Sequence, residues 1–281
     1  MSARLRGIAK ETEEIVRTGG YRTADGRDID LRRAVDAAVA GTRMYGPGPV
    51  APPPRERGTH PRAARAEATV EVTGESSLDA ARRLTETGPG AVAVLNFASA
   101  RNPGGGYLNG AQAQEEALCR GSALYATLRR APEFYAHHRA EPSPFYSDRV
   151  IHSPGVPVFR DDRGRLLDTP YEAGFLTAAA PNAGVIARNL PGEVPLIASA
   201  LAARAERVLE TAAGRGYRRL VLGAWGCGVF RNDPATVAGS FAALLTGGGR
   251  FADRFDEAVF AVLDRTPEQA TLMAFRRVLE S

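Results

Sequence analysis

Two adjacent glutamates, Glu115 and Glu116, preceded by Gln114, lie seven residues beyond a run of three glycines, Gly104, Gly105 and Gly106. A positioned carboxyl can give a proton to a departing group and, once ionised, take one from water. Neighbouring residues of a helix point about 100° apart, so the two glutamates cannot do the same job. One is expected to face a ligand and the other to position it. Glutamates are also common in first helical turns, where they complement the dipole, and an isolated pair would be structural. The glycines change that balance. They follow Asn102 and Pro103 after the apolar run 91–97, can take backbone angles closed to other residues, and let a ligand touch the main chain. A helix after such a loop offers amides and a positive dipole end to phosphate. A tight turn without a ligand explains NPGGG equally well. No GK[ST] follows and the GxGxxG order is missing, so neither a Walker loop nor a dinucleotide fingerprint is present.

A second Gly-rich loop, LVLGAWGCGVFRNDP at 220–234, again leaves an apolar strand and enters a helix, here started by Asp233 and Pro234. Two such loops could clamp one pyrophosphate. Other polar candidates carry less. His137 and His138 sit in the amphipathic stretch APEFYAHHRAEP and His152 at a strand end, and each reads as structural. Cys227, between glycines but without a histidine partner in reach, reads as a small space-filler. There is no GxSxG to anchor serine hydrolase chemistry. The only cysteines are Cys119 and Cys227, with no Cys/His cluster of ligand spacing, so no disulfide framework and no metal site is expected.

These residues need strands to hold them and helices to cover the strands. Helical patterns run over 4–17 and 28–40, and the prolines of 45–67 make that stretch an arm or linker. From residue 68 strand and helix patterns alternate. Strands are predicted at 68–72, 91–97, 149–152, 174–180, 219–224 and 257–263; helices at 77–85, 112–130, 198–213, 234–245 and 267–279. Short apolar strands among helices predict an α/β sandwich whose mixed sheet is buried on both faces. The division expected is a helical extension and arm over 1–64 and a catalytic domain over 65–281.

The bulk numbers exclude more than they assign. Hydrophobic residues make up 44% and charged residues 24% of the 281, an ordinary globular composition without a run long enough to span a membrane. The first twenty residues are charged throughout and lack a secretory signal, which points to the cytoplasm. The net charge of +4 suits a polyanionic ligand and equally an ordinary solvated surface, so it decides nothing alone. Its arginines are scattered rather than striped with aromatics, so direct nucleic-acid binding is not expected.

The order GGG, seven residues, QEE resembles the signature of poly(ADP-ribose) glycohydrolases. GAWGCGVF is similar to the diphosphate loop of macrodomains, and TAAAPNAG at 177–184 to a segment of the bacterial-type enzymes. The likeness covers roughly 65–265. It implies a three-layer α/β/α macrodomain-like fold with an N-terminal helical extension. It also implies hydrolysis of ribose–ribose bonds in poly(ADP-ribose), acting from the chain end, with poly(ADP-ribosyl)ated proteins as the carriers of substrate. Glu116 would be the general acid and base, and Glu115 would hold the adjacent ribose hydroxyls. ADP-ribose would be bound by Asn96, Phe97, Asn102 and Gln114, by the amides of Gly104, Gly105 and Gly106, and by Gly226, Cys227, Gly228, Val229 and Phe230. No cofactor is implied. Two alternatives share the loops: a reader that binds ADP-ribose without cleaving it, and a hydrolase of mono-ADP-ribosyl or O-acetyl-ADP-ribose groups.

Overall fold

The computed structural model describes residues 2–51 and 68–280. The expected arm therefore lies, from residue 52 onward, outside the described residues, as does the boundary expected at 64/65. Helix α1 (Ala3–Thr18) is capped by the Ser2 hydroxyl, and Gly19 ends it with φ +83°. A short hairpin, β1 (Gly20–Arg22) and β2 (Asp28–Asp30), separates it from α2 (Arg32–Gly41). Then come β3 (Arg43–Tyr45), β4 (Thr69–Thr73), α3 (Ser77–Thr87), β5 (Val92–Phe97), α4 (Gln114–Gly121), α5 (Leu124–Leu128) and α6 (Pro132–Ala140). The chain continues through β6 (Val150–Arg160), β7 (Leu166–Ala178), α7 (Ala183–Asn189), α8 (Ile197–Gly214), β8 (Arg219–Gly223), α9 (Pro234–Leu245), β9 (Glu257–Ala261) and α10 (Ala270–Leu279).

Seven strands form one mixed sheet in the order β3-β6-β7-β5-β8-β9-β4. All share one direction except β6, which runs antiparallel to both its neighbours. Side chains alternate across a strand, and β5 divides them cleanly. Val92 and Val94 join the core built with α1 to α6, while Ala93 and Leu95 join the core built with α8 to α10. Both faces are covered, so the layers are helix, sheet and helix, as expected.

The boundaries show where tertiary pairing overrides local pattern. The helix expected at 28–40 starts only at Arg32, because residues 28–30 pair with 20–22. The helix expected at 112–130 is broken at Ser122, which is extended, bridges to Val158 and caps Leu124 with its hydroxyl. The two short strands expected at 149–152 and 174–180 are the ends of a long hairpin. Pro154, Gly155 and Pro157 look like turn residues, but a register shift between Ser153 and Val156 absorbs the first two, with Gly155 at φ +52°, and Pro157 stays in register opposite Glu172. Residues 43–45, counted with the extension, form an edge strand of the main sheet on β6.

Because β5, β7 and β8 are parallel, the loops 98–113, 179–182 and 224–233 all leave the same edge of the sheet. The segment 141–149, entering antiparallel β6, arrives there too. Crevices at the carboxyl ends of strands are where open α/β sheets bind ligands.

Candidate active site

Gln114 opens α4 and ties it to the sheet. Its side-chain oxygen accepts the Phe97 amide at 2.9 Å, and its nitrogen donates to the Leu95 carbonyl at 2.8 Å and the Ser77 hydroxyl at 3.0 Å. These bonds lock the end of β5 to the starts of α3 and α4. Gln114, expected at the ligand, spends its amide on this brace. Glu115, next in line, is buried. One oxygen accepts from Asn96 Nδ2 at 3.3 Å and the other from the Ser99 amide at 2.6 Å. Burial pushes its carboxyl up to about 8, overriding the charge-favouring bonds from Ser99, Asn96 and Gly104 and helped by the neighbouring Glu116. Asn96 is fully buried as well and shares its amide between Glu115 and the Thr177 hydroxyl. It therefore orients Glu115.

Glu116 is held differently. Its Oε1 accepts the Gly106 amide at 2.9 Å, and its Oε2 is buried with no hydrogen-bond partner among the described residues. Gly105 makes room for it, since φ is +55° and an added Cβ would stand 2.5 Å from Glu116 Oε1. The glycine run was expected to offer its amides to pyrophosphate. Instead the Gly105 amide closes a turn onto the Asn102 carbonyl, the Gly106 amide holds Glu116, and the Gly104 amide bonds to Glu115. Asn102 itself is exposed on that turn. Nor does a helix follow the glycines directly, because a 3-10 turn (Tyr107–Asn109) intervenes. That turn rests on α1. The Tyr107 hydroxyl donates to the Ala9 carbonyl at 3.1 Å and lies 3.1 Å from Glu13, and the Ser2 amide donates to the Gly110 carbonyl at 3.2 Å.

The second loop is anchored below and open above. Trp225 is fully buried and its indole N–H donates to the Ala178 carbonyl at 3.0 Å. Gly226, at φ +72°, packs so closely that a Cβ would lie 2.4 Å from Asn232 Nδ2 and 2.7 Å from Ala180 Cβ. Asn232, which no sequence motif singles out, in turn donates to the Pro181 carbonyl. The Cys227 amide closes a turn onto Ala224, and burial pushes its thiol up to about 12, which suits a space-filler. Gly228 and Val229 project outward, Val229 being 81% exposed. Phe230 is half-buried, its ring 5.8 Å from that of Tyr146. Tyr146 was not anticipated, and it has φ +58°, an uncommon angle for a bulky side chain, as does Arg231 at +59°. Phe97 packs its ring toward Gly223 in the second core.

His138 is buried against Ser147 at 2.7 Å, and His152 against the Tyr217 hydroxyl at 2.9 Å. Burial lowers each to about 4, so both are neutral structural groups. Among the described residues no cluster of His, Cys, Asp or Glu could hold a metal ion, and no helix is long and apolar enough to cross a membrane. The arrangement thus holds a buried carboxyl with one oxygen unpartnered among the described residues, a second carboxyl whose oxygens are both engaged, and, leaving the same edge of the sheet, an open Gly-rich tip next to an aromatic pair.

Three comparisons bear on what this arrangement is. The family described as microbial-type PARG, catalytic domain, matches residues 9–161. A structure of poly(ADP-ribose) glycohydrolase from Thermomonospora curvata superimposes with a TM-score of 0.91 at 49% identity, covering 99% of this chain and 100% of that one. The same enzyme bound to the inhibitor ADP-HPD gives 0.89 at 48%, covering 98% and 99%. The poly(ADP-ribose) glycohydrolase of Deinococcus radiodurans in complex with ADP-ribose gives 0.78 at 48%, covering 88% and 97%. Comparison with curated proteins gives no match.

Proposed function

The chain belongs to the microbial-type poly(ADP-ribose) glycohydrolase family, and from that premise we propose that it hydrolyses the ribose–ribose O-glycosidic bonds of poly(ADP-ribose), with Glu116 as general acid and base. The observation that carries the assignment is the unpartnered, buried Oε2 of Glu116 beside a Glu115 whose two oxygens are both engaged. Glu116 protonates the leaving ribose oxygen as the bond to the anomeric carbon breaks. The oxocarbenium-like centre then takes water, whose proton returns to Glu116. Glu115, raised to about 8 by burial, is held toward its neutral form. In this reading it also contacts the ribose hydroxyls.

Gly226, Cys227, Gly228 and Val229 lie along the pyrophosphate, with the open tip supplying main-chain amides, and Phe230 holds the reacting ribose against Glu116. Asn102, on its exposed turn, reaches the distal ribose hydroxyls. Asn96, Phe97, Gln114, Gly104, Gly105 and Gly106 serve the ligand chiefly by fixing the glutamates and the end of β5. Residues 65–281 are the catalytic unit and 1–64 its extension. Modified proteins deliver the polymer, cleavage is terminal, and the cytoplasm is the place of action.

The reader and mono-ADP-ribosyl hydrolase alternatives are less well supported, since a reader needs neither the fixed Glu115 nor the free oxygen of Glu116. The test is release of ADP-ribose from purified poly(ADP-ribose) by the native chain and Glu116→Gln, with ADP-ribose binding measured by calorimetry. Turnover should fall about 10²- to 10⁴-fold while binding persists. Binding without turnover by the native chain would make it a reader, and early release of long oligomers would overturn terminal cleavage.

A further inference from the structure

Two arginines beside the site form a clasp of unusual charge. Arg139, in the last turn of α6, donates to the carbonyl of Arg101 at 2.6 Å, and Arg101 donates to the carbonyl of Pro142 at 3.3 Å. Both side chains are exposed, and neither has a carboxylate within ion-pair distance among the described residues. Many arginines elsewhere are paired: Arg17, Arg22, Arg82, Arg83, Arg218 and Arg250 each hold an acid. Each guanidinium of the clasp gives one bond to a carbonyl, which leaves most of its five donors available. Two like charges held on adjoining segments without a carboxylate partner among the described residues favour an anionic ligand.

The clasp also lies where the substrate must continue. Arg101 is two residues past Ser99, whose amide holds Glu115, and one before Asn102. Arg139 and Pro142 lead into the segment that carries Tyr146 to the ring of Phe230. The two arginines thus tie the loop after β5, which carries Ser99, to the segment 141–149, and both reach the edge of the sheet where α4 begins. In poly(ADP-ribose) the leaving oxygen belongs to a ribose whose own 5′ carbon bears a pyrophosphate. We propose that Arg101 and Arg139 form a second anion subsite, which takes the pyrophosphate of the ADP-ribose unit on the leaving side of the scissile bond. This rests on the reading of the chain as a glycohydrolase of the polymer.

The test compares the native chain, Arg101→Gln/Arg139→Gln, and a charge-matched control, Arg276→Gln/Arg277→Gln, at two exposed positions of α10. Substrates are poly(ADP-ribose) and an aryl glycoside of ADP-ribose whose leaving group carries no phosphate. The clasp variant should lose about tenfold in kcat/KM on polymer and show a shallower salt dependence, as lost phosphate contacts require. Its rate on the aryl glycoside should stay native, and the control pair should match the native chain on both. Arg101→Lys, which keeps the charge, should recover most of the polymer rate. Equal losses on both substrates, or a clasp variant no worse than the control on polymer, would overturn the subsite. Binding separates this from failure of the glycohydrolase reading: in the Glu116→Gln background a dimer of ADP-ribose should bind tighter than ADP-ribose, and the clasp substitutions should erase that difference. If the native chain cleaves neither substrate, the glycohydrolase reading fails by itself and the dimer-to-monomer affinity ratio still decides the subsite.

Discussion

The two Gly-rich loops look alike in sequence and are built for opposite purposes. In the first, the amides of Gly104, Gly105 and Gly106 turn inward, onto Glu115, Asn102 and Glu116. In the second, Trp225 and Asn232 pin the base while Gly228 and Val229 stand in the open. One loop is therefore a mould for a buried carboxyl, and the other stands open at its tip. A glycine run beside an acid need not touch phosphate at all.

Substitutions that add a single methyl group sharpen this contrast. Gly105→Ala should be the most damaging, because its Cβ would meet Glu116 Oε1 at 2.5 Å with φ at +55°; turnover should fall about 10²-fold or more in the release assay, close to losing the acid itself. Next comes the charge state of Glu115. Its folded value near 8 lies above the unfolded value near 4.5, so the native state holds a proton that the unfolded state has released between those pH values. Stability should thus be greatest below about pH 4.5 for this group and decline as pH rises to 8. The unfolding free energy of Glu115→Gln relative to native should accordingly improve across that window, by roughly a few kcal/mol. A flat difference in denaturant titrations would show that Glu115 is ionised in the fold.

Gly226→Ala should cost about 1–3 kcal/mol of stability, since φ is +72° and the Cβ would meet Asn232 and Ala180, and ADP-ribose affinity should fall with it. Tyr107→Phe, which removes the hydroxyl that bonds α1, should cost about 1 kcal/mol in thermal unfolding. Gly228→Ala should do least. Its Cβ would meet nothing within 4 Å, and a change within about 0.5 kcal/mol in stability is expected. A large effect there would mean that the tip is packed against something, and the contrast between the loops would fail.

The sequence announces the glutamates, because GGG and QEE are contiguous and their separation is short. The strand β5 and the helices α3, α8 and α9 are equally plain, since an apolar period within one segment sets their buried faces. What stays hidden depends on partners far along the chain. Asn232 looks like one polar residue of a turn until Pro181, fifty-one positions earlier, supplies its acceptor. Tyr146 lies in a stretch of mixed composition and gains a role only when Phe230 comes to face it. Thr177 is one residue of a strand, yet it shares the amide of Asn96 with Glu115. The direction of the Gly104–Gly106 amides is hidden for the same reason: glycine permits many backbone angles, and the glutamates of α4 select among them.

The contact between Ser2 and the loop before α4 has a practical side. Ser2 reaches the Gly110 carbonyl with its amide, and a Cβ on Gly110 would lie 2.5 Å from the Ser2 carbonyl oxygen, so the start of α1 sits within a bond's length of the loop that shapes Glu116. A purification handle spliced directly ahead of Ser2 would crowd that junction and register as a poor enzyme, with no residue of the active site altered. Placed after α10, which packs on α9 and β4, the same handle leaves that contact alone.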